Sequence, residues 1–92
     1  MTPQEFIAGQ LHATQAELST AILNRGRWDR LREDRQLLLF LQEQVDGAPA
    51  RDLRVELQQI ADGSVRVPAL TSSRAKAADC LRRWATDLVA LR

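Results

Sequence analysis

Catalysis or metal binding in this chain would have to be built from one histidine, one cysteine and twelve carboxylates. His12 has Ala8, Gln15 and Ser19 as helical neighbours. A general base needs an orienting carboxylate and a nearby nucleophile, and a metal site needs converging ligands. Neither pattern surrounds His12, which is expected at the surface. Cys80 lies one helical turn from Ala77 and Trp84, where a thiol packs as a small apolar group. The adjacent Asp79 opposes thiolate formation and Arg83 favours it. Asp29, Glu33 and Asp34 form the tightest acidic group, with Asp29 and Glu33 four residues apart. Arginines stand beside them, and the local spacing predicts pairs of Asp29 with Arg25 or Arg32 and of Asp34 with Arg30. Pairs of that kind dress a solvated helix face at ~0.3–0.5 kcal/mol each. No catalytic residue, cofactor or metal is therefore expected, and the chain is read as non-enzymatic.

Binding chemistry is the remaining option, and two groups of residues offer it. The first is the start of an arginine-rich segment, with Arg25, Arg27, Trp28, Arg30, Arg32 and Arg35 close together. A tryptophan flanked by arginines has the composition of a protein-interface anchor. Trp28 also lies on an apolar stripe, so a place in the core is an equal alternative. The second group is Arg74, Lys76, Arg82 and Arg83 in the basic carboxy-terminal third, a foothold for nucleic acid. The stretch from Leu57 to Gly63, a turn and a serine-capped helix bear a superficial likeness to a helix-turn-helix. The turn is too long for one and contains Pro68. A third surface is the small-residue strip of Gly9, Ala13 and Ala16, which permits close approach of another helix.

Bulk properties narrow the class. The 92 residues are expected to form one domain, and a chain this short buries a marginal core, so a homodimer or a partner is a reasonable expectation. Apolar residues at 45% and charged residues at 27% argue against disorder. A net charge of +1 removes any overall electrostatic pull toward nucleic acid or membrane. A single cysteine forbids an internal disulfide and fits a reducing compartment. Met1-Thr2-Pro3-Gln4-Glu5 has neither the basic nor the apolar region of a signal peptide, and Phe6 to Ala16 is too short and polar to span a bilayer. A cytoplasmic location is expected.

The elements that must position these residues read as helices. Thr2, Pro3 and Glu5 have capping-box spacing, and Ile7, Leu11, Thr14, Leu18, Ala21 and Ile22 recur at helical steps. That predicts a helix over about 3–25, stopped at Asn24-Arg25-Gly26 with the glycine left-handed. A second helix is predicted over about 27–46, where Trp28, Leu31, Leu38, Leu41 and Val45 form a stripe. Its run Leu37-Leu38-Leu39-Phe40-Leu41 points in nearly every direction and must be covered on most sides. The short connection makes the two an antiparallel hairpin, with one long helix bent at Gly26 as the alternative. Pro49 opens a third helix over about 49–61, carrying Leu53, Leu57 and Ile60 and ending at Gly63. Val65, Val67 and Leu70 tack an extended loop onto the core. Thr71, Ser72 and Ser73 offer a cap for a helix over about 73–91, striped by Ala77, Leu81, Trp84, Leu88 and Leu91.

The fold class is all-α, a compact bundle of about four helices built on an amino-terminal antiparallel helical hairpin. The expected function is a non-enzymatic adaptor, regulator or inhibitor that occupies a surface on a larger protein. Phages and mobile elements encode many small solitary domains of that class. A nucleic-acid-binding regulator is the alternative.

Overall fold

A computed structural model describes residues 1–48 and 52–91. It contains α1 (Pro3–Thr20), α2 (Arg25–Gly47), α3 (Leu53–Asp62), α4 (Ser73–Arg83) and α5 (Ala85–Ala90). The fold is all-α. An antiparallel hairpin of α1 and α2 packs closely, α3 lies against α4, and α2 touches α1, α3 and α4. The second helix is thus the centre of the bundle. Among the described residues no helix is long and apolar enough to cross a membrane.

α1 begins with the capping box its sequence predicts. The Glu5 amide donates to the Thr2 hydroxyl at 3.2 Å, and the Thr2 amide donates to the Glu5 carboxylate at 3.1 Å. Its inner face buries Phe6, Ile7, Leu11 and Thr14. The helix stops five residues earlier than expected. The Ser19 and Thr20 hydroxyls donate back to the carbonyls of Ala16 and Glu17 (2.7 and 2.9 Å), and Ala21 closes the end. Such back-bonding offers the backbone an alternative to helix. Asn24, placed in the stop signal by sequence, instead starts the next helix, its side-chain oxygen accepting from the Arg27 amide at 3.1 Å. Gly26 is therefore a residue of the first turn of α2 with no left-handed role.

The long apolar run is covered as its composition demands. Leu37, Leu38 and Leu41 are buried, Phe40 is half-buried, and Leu39 alone of the five faces solvent. Leu53, Leu57 and Ile60 of α3 close over them, as do Ala77, Cys80, Trp84 and Leu88 from the carboxy-terminal elements. Asp52 caps α3 through the Arg54 amide at 2.9 Å, and Gly63 ends it at a φ of 88°. The expected start of this helix at Pro49 lies outside the described residues. Val67 and Leu70 are buried in the loop that follows, with Val65 packed beside them. Ala69 is held there at a φ of 63°, in the left-handed region.

The predicted last helix divides at Trp84, whose φ of −100° and ψ of 12° separate α4 from α5. The stripe continues through this bend, so periodicity alone gave no sign of it. The bend accompanies a specific contact. The Trp84 indole meets the Phe6 ring edge-on, with centroids 5.2 Å apart and planes at 86°. That geometry is favourable for the ring quadrupoles and joins the first helix to the last.

Candidate protein-binding surface

The turn between α1 and α2 is where apolar surface remains unexplained by folding. Ile22 was expected on the core stripe, but the early end of α1 turns it outward, leaving it 72% exposed. Leu23 beside it is 98% exposed. Ile22, Arg25 and Trp28 line an open recess at this tip. Trp28 is half-buried, with the Arg32 guanidinium stacked 4.8 Å from its ring centroid. An arginine over an indole holds the ring in place and keeps a cation at the edge of the recess. Arg27 pairs with Glu17 at 3.1 Å, joining the last turn of α1 to the first turn of α2.

The six residues predicted for protein binding do not form one patch. Arg25, Trp28, Arg32 and Arg35 follow helical steps of three, four and three, and so share a face of α2. Arg32 and Arg35 extend it to a second recess formed with Asp29, Glu33, Gln36, Ala69 and Leu70. Arg27 and Arg30 lie on another side, beside Glu17, Leu31, Asp34, Lys76, Asp79 and Arg83. Sequence reasoning missed Ile22 and Leu23. The cap at Asn24 was the available signal, because a helix starting there leaves both residues in the connection.

The local ion pairs predicted within α2 are replaced by tertiary ones. Asp34 pairs with Lys76 of α4 at 2.6 Å in place of Arg30, and Lys76 also donates to the Arg30 carbonyl at 3.2 Å. Glu33 accepts from the Ser72 hydroxyl at 3.0 Å and lies 3.9 Å from Lys76. Asp29 has no ion pair with Arg25 or Arg32 among the described residues. The Ser72 hydroxyl, engaged with Glu33, gives α4 no side-chain cap, contrary to the expected serine cap.

The residues considered for nucleic acid are largely engaged with acids. Lys76 is clasped by Asp34. Arg82 and Arg83 both pair with Asp79, Arg83 at 2.7 Å, and the bond from Arg82 holds the Asp79 carboxyl below its ordinary range. Arg74 donates to the Ala61 carbonyl at 3.5 Å and lies against Gly63. These four do not make a continuous cationic face.

Cys80 is 2% exposed and packs in the core as expected. Burial pushes its thiol up to about 11, and the Arg83 guanidinium, 3.6 Å away, counteracts only part of that. His12 is exposed, as are Gly9, Ala13 and Ala16, so no helix of this chain covers the small-residue strip. A comparison of the chain with known protein families, curated proteins and solved structures finds no match in any of the three.

Proposed function

We propose that this chain is a non-enzymatic adaptor, regulator or inhibitor that acts by occupying a surface on a larger protein, with the α1–α2 tip as its contact. The observation that carries this reading is the pairing of a fully exposed Leu23 and a largely exposed Ile22 with an arginine-stacked Trp28 beside them. Exposed large apolar side chains oppose solubility, and a patch of them with a cationic border has the make-up of an interface anchor. Arg25 and Arg32 border the patch, and Arg35 extends its positive field along the same face of α2.

Leu23→Asp tests this directly. Leu23 touches almost nothing, so the substitution leaves the thermal midpoint within a degree or two while placing a charge in the contact. The expected result is a protein that co-purifies with the wild-type chain from its native host and is lost with Leu23→Asp. Undiminished recovery of that protein with Leu23→Asp rejects the tip as the contact. Light scattering on both forms separates a larger partner from a second copy of this chain.

A further inference from the structure

A second site, remote in sequence from the hairpin tip, has the donors of an oxyanion receptor. Gly63, Val65, Arg66, Thr71, Ser73 and Arg74 line a recess beside the first turn of α4. Ser73 is only 5% exposed, yet its hydroxyl has no hydrogen-bond partner among the described residues. A hydroxyl with no partner in the chain can be satisfied only from outside it, through whatever opening it keeps. No buried side-chain oxygen among the described residues is both sealed from solvent and unbonded, so the Ser73 hydroxyl keeps an opening, and the recess it lines is where that opening leads.

Donors and cations predominate around that hydroxyl. Ser72, the residue that would cap α4, gives its hydroxyl to Glu33, so the amides of Ser73, Arg74 and Ala75 find no acceptor among the described residues. A helix start with free amides attracts anions through both the N–H groups and the macrodipole. Arg66 has no hydrogen bond or ion pair to a described residue, and Arg74 is held through its Nε alone. One carboxylate, Asp62, accepts from the Ser64 amide at 2.8 Å and feels the Arg74 charge, so it offsets part of the positive field.

We propose that this recess binds the phosphate group of a phosphate ion or phosphomonoester. Two guanidiniums match the charge of a dianion, and two hydroxyls with the helix-start amides supply donors for several oxygens at once. A carboxylate has too few oxygens to use them. The site is independent of the hairpin tip, so either proposal can fail alone.

The test is a titration of the full ¹⁵N-labelled chain with inorganic phosphate, at ionic strength held constant with chloride. Saturable amide shifts are expected at Gly63–Arg66 and at Ser73–Lys76, with little change elsewhere. Ser73→Ala should weaken binding several-fold with a thermal midpoint unchanged or raised, since no bond within the protein is lost. The double substitution Arg66→Ala with Arg74→Ala should abolish binding with the helical circular dichroism retained. Parallel titrations with a phosphoserine peptide, a nucleoside monophosphate and a glutamate peptide distinguish the sources. A phosphomonoester that binds more tightly than inorganic phosphate names the natural one, and equal binding of all three phosphates assigns the free ion. Non-saturating or scattered shifts, equal binding of the glutamate peptide, unaltered affinity in Ser73→Ala, or a lowered midpoint in that variant would each overturn the proposal.

Discussion

Cys80 illustrates how environment decides the chemistry of a single residue. Its neighbours Asp79 and Arg83 pull the thiol in opposite directions, and burial outweighs both. A thiol raised from 9.0 to about 11 in the fold stays protonated at neutral pH and is a poor nucleophile. The consequence for stability has a definite sign. Below pH 9 the thiol is protonated in both folded and unfolded chains and contributes no pH dependence. Between pH 9 and 11 the unfolded chain releases the proton more readily, so stability falls as pH rises through that window. Urea unfolding of the wild type should show this loss, and Cys80→Ala should remove that part of the alkaline slope. Equal slopes in the two proteins would mean that the thiol titrates normally.

At the scale of the elements, local signals were legible and competing ones were not. The capping box at Thr2 and Glu5 and the stop at Gly63 were read correctly because each involves residues three or fewer apart. Asn24 and Gly26 sit two residues apart and carry opposite signals, one starting a helix and one suited to ending it. The start prevailed because the Asn24 side chain captures the Arg27 amide. Trp28 and Arg32 were placed on the second helix, whereas the place of Arg25 in its first turn and the exposure of Ile22 and Leu23 depended on where α1 ends. Lys76 and Asp34 are separated by 42 positions, and no local rule anticipates a pair between them. Asn24→Ala measures the decisive cap. It should cost ~1 kcal/mol in urea unfolding and increase hydrogen exchange at the first-turn amides of α2. A change confined to the end of α1 would place the determinant there instead.

For the whole molecule, one core joins the five helices of the described residues. The Cα radius of gyration is 12.8 Å, close to the ~12 Å expected of a compact domain of this length. A domain of this size is held by only ~5–14 kcal/mol in total, so a few central contacts decide whether it folds. The edge-on contact of Phe6 and Trp84 is one of these, because it binds α1 to the joint between α4 and α5. Trp84→Ala should cost ~3–5 kcal/mol, and the chain should then unfold at much lower urea concentration in a single transition. A small loss with local fraying of α5 alone would show that the last helix is an appendage.

The clasp on Lys76 has a consequence of a different kind. It is the chain's sole lysine, its side chain is 16% exposed, and its ammonium is shared among Asp34, Glu33 and the Arg30 carbonyl. Acyl transfer to a lysine requires an amine that the transferring group can reach, and Lys76 is mostly covered and held by two carboxylates. Acetylation, ubiquitin attachment and amine-directed cross-linking at Lys76 therefore compete with the contacts that tie α4 to α2. Apart from His12 every other basic side chain is arginine, so lysine-directed tags have this one, mostly covered target.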